Sequence, residues 1–219
     1  MENRWVNKMD NGVAVIIFAK APIPGLAKTR LIPVLGAEQS ALLHAALTER
    51  AIVTAQKSGA EAVELCCTPN CDEAFFQYCA EDFGVTLTEQ GDGDLGERML
   101  RTFDDVLQEF DKAIIIGADC PAFTVKHIRA AVEALDSADV VLMPAEDGGY
   151  VLIGATRTDA RMFAGIDWGT DRVLAAQRQN LASCGLKWLE TDTLWDVDRP
   201  EDLDRLKALK PALEFVWPA

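Results

Sequence analysis

The stretch VAVIIFAKAPIPGLAKTRL, Val13 to Leu31, decides how the rest of the chain is read. Its first seven residues form a continuous apolar run rich in β-branched side chains. That is the pattern of a strand covered on both faces. Lys20 ends the run. Pro22, Pro24 and Gly25 then stiffen and tighten a turn, and Lys28, Thr29 and Arg30 follow. No Asp or Glu occurs from Asn11 to Ala37, although the protein carries 35 acidic residues against 21 basic ones, a net charge of −14. An acid-free, cationic loop after a first strand suits a bound phosphate. Lys28 and Arg30 can donate charge-assisted hydrogen bonds, and Gly25 lets the backbone come close. The GxxxxGK[ST] pattern is absent, so the loop is not a P-loop.

Outward from this loop, strand-like and helix-like segments alternate. Strands are expected at Val13–Ala19, Ala62–Cys67, Val85–Thr88, Ala113–Ala118, Val140–Pro144, Tyr150–Gly154 and Leu186–Leu189. Helices are expected at Ala37–Ser58, Asp72–Asp82, Gly96–Phe110, Thr124–Leu135, Thr170–Ser183 and Pro200–Leu209. Such alternation predicts an α/β fold, a three-layer α/β/α sandwich around a mixed, mostly parallel sheet. The AEDGG turn between two strands implies some antiparallel pairing. Ligands of such sheets sit beyond the carboxyl ends of the strands.

Composition sets the outer limits. A length of 219 residues suits one buried core, expected over 13–219. Residues 1–12 read as a flexible leader, too polar for a signal peptide, and the apolar run behind them is too short to span a membrane. The acidic balance argues against duplex nucleic acid, though not against a small anion held locally. Six cysteines and two histidines match no zinc spacing, so reduced thiols in a cytoplasmic protein are expected. A redox role for Cys67 and Cys71 would need a thiol of lowered pKa.

Five further segments can carry chemistry. In GADCP, Asp119 ends the most apolar strand, where a carboxylate can hold a divalent cation against a diphosphate. In LWDVDRPEDL, Asp196 or Asp198 can supply a second carboxylate, while Asp198 to Glu201 also reads as a capping box. QGDGDLGERM offers Gln90, Gly91, Gly93 and Arg98 as a wall for a base or ribose, since its acids would repel phosphate. EDGGYVLIG, with Asp147, Gly148, Gly149 and Tyr150, and DWGTDRVL, with Trp168, are candidates for an acceptor pocket. Each also reads as an ordinary hairpin or core anchor.

Taken in order, FAKAPIPGLAKTRL, QGDGDLGERM, GADCP, EDGGYVLIG, DWGTDRVL and WDVDRPEDL resemble a bacterial family of candidate glycosyltransferases. That family sits in the nucleotide-diphospho-sugar transferase superfamily, with the GT-A fold, and is related to molybdopterin-type nucleotidyltransferases. The resemblance implies a Mg²⁺- or Mn²⁺-dependent transferase with a nucleotide-sugar or nucleoside triphosphate donor and a small acceptor. Lys28 and Asp119 would be catalytic. Lys20, Pro22, Gly25, Thr29, Arg30, Gln90, Gly91, Gly93 and Arg98 would bind nucleotide with Lys28. Asp119 and Asp198 or Asp196 would bind metal. The superfamily's glycosyltransferases use a DxD motif, and the corresponding stretch here is Ala118-Asp119-Cys120. Its nucleotidyltransferases pair one such Asp with a late DxDTPEDL-like segment, which DVDRPEDL is similar to. The LxGGxSxRMG signature of some members is absent. Glycosyl transfer, nucleotidyl transfer and a nucleotide-binding module without turnover are all consistent with these residues.

Overall fold

The computed structural model describes residues 12–217, so most of the proposed leader lies outside the described residues. The elements run β1 (Val13–Lys20), α1 (Ile32–Leu35), α2 (Ala37–Lys57), β2 (Ala62–Thr68), α3 (Ala74–Phe83), β3 (Thr86–Glu89) and α4 (Leu95–Val106). They continue through β4 (Lys112–Gly117), α5 (Val125–Ala134), β5 (Val140–Pro144), β6 (Tyr150–Ala155), α6 (Val173–Cys184), β7 (Trp188–Glu190) and α7 (Asp202–Lys207). The sheet order is β3-β2-β1-β4-β6-β5-β7, and β6 alone of these seven runs antiparallel to its neighbours. Every expected strand is present within a residue or two.

Alternation along the strands divides the core between two layers of helices. Val15 and Ile17 of β1 and Ile114 and Ile116 of β4 face α2, α3 and α5, where Ile52, Phe76 and Ile128 are buried. Ala14, Ile16, Ala113 and Ile115 face the other way, onto Met99 and Phe103 of α4 and Leu181 of α6. A third cluster sits at the carboxyl edge of the sheet. Leu31, from the end of the basic loop, packs with Leu43 and Leu47 of α2 and with Trp195, Val197, Leu203 and Leu206. This cluster pins the basic loop to the WDVDRPEDL segment. Burying each such side chain contributes about 1.5–3 kcal/mol.

Two local expectations change. The last helix starts at Asp202, and Asp198 does not cap it. Asp202 instead turns its Oδ2 back to accept from the N–H groups of Asp198 and Arg199 at 2.9 and 2.7 Å. This frees the Asp198 carboxylate for Arg30. The helix expected from Thr170 begins at Val173, because Thr170–Arg172 form a turn whose Oγ1 donates to Asp167 O. Gly185 closes that helix in the left-handed conformation, φ 67°.

Candidate active site

The carboxyl ends of β1, β4 and β5 lie at one edge, and the loops that leave them meet there. Lys28 is the only non-glycine among the described residues with positive φ, at 48°. An L-residue held there stores of order 1 kcal/mol. The side chain turns inward: it is 4 % exposed although the loop around it is open. Its ammonium lies 2.8 Å from Asp119 Oδ1 and donates to the carbonyl of Val197 at 2.5 Å. The Val197 N–H donates to Asp119 O at 3.0 Å. One backbone unit of the late segment thus ties the basic loop to the end of β4.

Asp119 is held on one side. Oδ1 is buried between Lys28 and His44, whose Nδ1 is 3.2 Å away, while the side chain as a whole is 45 % exposed. Burial alone would raise the carboxyl's pKa. The Lys28 charge, then the His44 hydrogen bond, outweigh it and hold the group well below the usual carboxylate range. Lys20, Lys28, Thr29, Arg30, His44, Asp119 and Asp198 surround a cavity of about 350 Å³.

Arg30 pairs with Asp198, and both residues also line a second cavity of about 460 Å³. That cavity is acidic, with Asp147, Asp171, Asp196 and Asp202 in its wall. Glu146 also reaches it but is clamped by Arg205 at 2.7 and 2.9 Å. Asp196 is half-buried. Burial first and then the Asp147 charge push its carboxyl up to about 6, against its own backbone hydrogen bond and Lys28. A further cavity, of about 450 Å³, lies elsewhere, between α2 and the 211–214 segment.

The other candidates are placed differently. The Gln90 amide is a buried bracket, donating to Ala19 O and Cys66 O at 3.3 and 2.9 Å, and its carbonyl accepts from Arg98. Arg98 also donates to Gly93 O, so it shapes the Gly91–Gly93 loop, while Asp94 and Glu97 form a capping box on α4. The Tyr150 hydroxyl is buried against Gln177 Oε1 at 3.2 Å, away from the acidic cavity expected to take an acceptor. Trp168 packs against Phe163 and over Gly96, where a Cβ would meet its ring at 2.8 Å. Both pack, partly buried, against the core layer that holds Met99 and Phe103 of α4 and Leu174 and Leu181 of α6. Gly148, at φ 91°, lets the hairpin abut Asp171, whose carbonyl oxygen would lie 2.2 Å from any Cβ. Pro22 and Gly25 shape the exposed part of the basic loop, with Ile23 O accepting from Leu26 and Ala27. His44 and the Val197 backbone were missed by the sequence reading. The signal for His44 was a buried polar row on α2: Ser40, His44 and Thr48, spaced by four.

The redox reading asks for a thiol of lowered pKa, and burial acts in the opposite direction. All six cysteines are free, and burial pushes the thiols of Cys66, Cys67, Cys71, Cys79 and Cys120 up, Cys79 and Cys120 to about 12. Among the described residues no group of three or more His, Cys, Asp or Glu stands together as a metal site. No helix among them is long and apolar enough to cross a membrane.

Residues 51–170 match the family described as "Uncharacterized protein conserved in bacteria (DUF2064)". The chain belongs to this family. A curated relative of a DUF2064 chain such as this one is the 2-phospho-L-lactate guanylyltransferase of Methanothermobacter thermautotrophicus, 34% identical over 127 residues. The match covers 56% of this chain and 53% of the relative, so the chain spans about half the length of the curated protein it matches. Among solved structures, a candidate nucleotide-diphospho-sugar transferase from Desulfovibrio desulfuricans G20 superposes with a TM-score of 0.81 at 25% identity, over 92% of this chain and 90% of that one. A Methanothermobacter nucleotidyl transferase gives 0.64 at 13% identity, over 90% and 97%. Two more distant structures of this fold, from Mycobacterium tuberculosis, hold Mn²⁺. The chain is therefore a member of a nucleotidyltransferase and GT-A-like superfamily of enzymes, with the expected α/β fold. The matches stop at that level: neither a glycosyltransferase nor a molybdopterin-type assignment follows from them.

Proposed function

We propose that the DUF2064 chain, acting as one domain over 13–219, is a metal-assisted nucleotidyltransferase. A nucleoside triphosphate would place its phosphates in the cavity of Lys20, Lys28 and Arg30. An acceptor in the adjoining cavity, next to Asp147 and the Gly148–Gly149 turn, would attack the α-phosphorus, and pyrophosphate would leave. The observation that carries this reading is the buried, strained Lys28 joined to Asp119. Such a constellation supplies positioning and charge, which phosphoryl chemistry needs more than a covalent catalyst.

The residues fit a divalent cation by donor type. Asp119 and Asp196 offer hard oxygens that both feel the Lys28 charge, and burial with the neighbouring Asp147 raises the Asp196 carboxyl. Mg²⁺ commonly binds one or two carboxylates plus substrate phosphates, so a full protein cage is not required. Asp198 is committed to Arg30 and fits less well. Bound there, Mg²⁺ or Mn²⁺ would neutralise charge across the diphosphate. Lys28 would hold the phosphate oxygens on which charge builds. Gln90 and Arg98 would set the backbone wall that faces the base.

Glycosyl transfer is the second reading, favoured by the near full-length similarity to the candidate sugar transferase. Thermal shifts against nucleoside triphosphates, diphosphates and nucleotide-sugars, each with and without Mg²⁺, separate the two. A metal-dependent shift with one triphosphate supports nucleotidyl transfer. A shift with a diphosphate and its sugar conjugate, and none with triphosphates, overturns it.

A further inference from the structure

None of the roles assigned above uses His44. It sits on the buried face of α2 with its ring about 7 % exposed. Ser40 and Thr48, one turn before and after it, bond within the helix, to Gly36 O and His44 O. The ring bonds outside it. Nε2 lies 2.9 Å from the carbonyl oxygen of Lys20, at the end of β1. Nδ1 lies 3.2 Å from Asp119 Oδ1, at the end of β4. Both Nδ1 and Oδ1 are buried and neither completes an aligned hydrogen bond; their close polar contacts are the ones within the trio of His44, Asp119 and Lys28.

The ring bridges two strand ends. A carbonyl oxygen only accepts, so Nε2 donates to Lys20 O. Nδ1, on the other side of the ring, faces Asp119 Oδ1 at 3.2 Å, and the same oxygen meets the Lys28 ammonium at 2.8 Å. Only the rest of that carboxylate remains open to the cavity shared with Lys20 and Arg30.

We infer that His44 is a positioning residue for Asp119: anchored to the end of β1 through Nε2, it grips Oδ1 through Nδ1 and so sets which carboxylate oxygen is presented to a divalent cation. The inference rests on the reading of Asp119 as a cation ligand. Groups that orient a metal ligand from behind commonly alter affinity 10–100-fold when removed. The sheet supplies the rigidity, since β1 and β4 are paired neighbours in register from Val13 to Phe18.

The test is Mn²⁺ binding, read from the electron paramagnetic resonance of the free ion, with each common ribonucleoside triphosphate in turn. Wild type is compared with His44→Ala, His44→Asn, His44→Gln and Asp119→Asn. Asn carries its amide nitrogen near the place of Nδ1 and can still donate to Asp119. Gln carries it near the place of Nε2 and can still donate to Lys20 O. Mn²⁺ affinity is expected to fall 10–100-fold in the Ala and Gln variants and to return to within about threefold in the Asn variant. Melting curves without ligand identify any variant that has lost its fold, and the Asn–Gln contrast is read between folded proteins. Equal affinity in wild type and all three His44 variants, or an Asn variant as weak as Ala, overturns the inference. Binding that Asp119→Asn abolishes and His44→Ala leaves intact overturns the positioning role alone. A wild type that takes up no Mn²⁺ with any triphosphate overturns the role of Asp119 as well.

Discussion

Two cavities share a wall in this molecule, and they are built in opposite ways. The one beneath the basic loop is organised before any ligand arrives. Lys28 is buried, strained and bonded to Asp119 and Val197, and His44 braces the carboxylate from behind. The one beyond the Arg30–Asp198 pair is unbalanced. Its wall carries Asp147, Asp171, Asp196 and Asp202, and Asp196 sits with a raised pKa. A preorganised site suits the part of a reaction where charge develops. An acid-rich site with a carboxylate short of counter-charge suits a cation brought in by the substrate. On the proposed function, this difference predicts that metal and nucleotide bind as one unit, each completing what the other lacks.

The largest expected effect comes from Lys28→Met. It removes the ammonium that lines the basic cavity and leaves the buried Oδ1 of Asp119 against His44 alone. Transfer activity should fall about 10²–10³-fold, the size seen when a single charge-stabilising donor is lost. The same variant predicts a pH signature. The folded-state pKa of Asp119 is depressed, so its contribution to stability is full above the ordinary Asp range, near pH 4, and is lost as pH falls below it. The melting-temperature gap between wild type and the variant should therefore close in acid. A gap that stays constant to pH 2 would remove the ion pair from the account.

Asp196→Asn should act in two directions. Its carboxyl is raised to about 6, so the ionised group costs stability as pH rises from the unfolded value through 6. The amide should raise the melting temperature of the free protein at pH 7, by of order 1–3 kcal/mol of stability, with the gain fading below pH 4. With triphosphate and Mg²⁺ present, the same variant should lose the ligand-induced shift. Stabilisation in both conditions would show that Asp196 does not face the cation. Asp198→Asn should weaken metal-linked binding far less, because that carboxylate answers to Arg30.

Arg30→Gln tests the shared wall. The pair is exposed on both sides, so its loss should change stability by less than about 1 kcal/mol. Triphosphate affinity should still drop several-fold, since Arg30 lines both cavities. The smallest effect is expected at the thiols. Burial raises five of them, and a thiol titration of the native protein should show slow labelling at Cys66, Cys67, Cys71, Cys79 and Cys120. Rapid reaction at Cys67 or Cys71 would revive the redox reading.

The two cavities were not equally legible in the sequence. VAVIIFA and AIIIGA announced buried parallel strands because apolar, β-branched runs have few other uses, and the loops after them placed Lys28 and Asp119 at one edge. The acidic cavity was harder to read. Asp198 looked like a cap because its spacing to Glu201 is that of a capping box, yet Glu201 takes the N-cap position without a side-chain bond, and Asp202 Oδ2 accepts from the Asp198 and Arg199 N–H groups instead. Tyr150 and Trp168 looked like pocket residues because they flank glycine turns. Which way an aromatic ring turns depends on packing from α4 and α6, distant in sequence. For His44 the polar row on α2 marked the residue but not its partners, which come from the end of β1 and the loop after β4.

The most direct measurement is the calorimetric affinity of the four ribonucleoside triphosphates with Mg²⁺ and with chelator, in wild type and Asp119→Asn. Mg²⁺ should tighten one triphosphate at least tenfold in wild type, about 1.4 kcal/mol of coupling. No such gain is expected in the variant. Triphosphate binding that is indifferent to Mg²⁺, or that keeps its Mg²⁺ gain without Asp119, would contradict the proposed function.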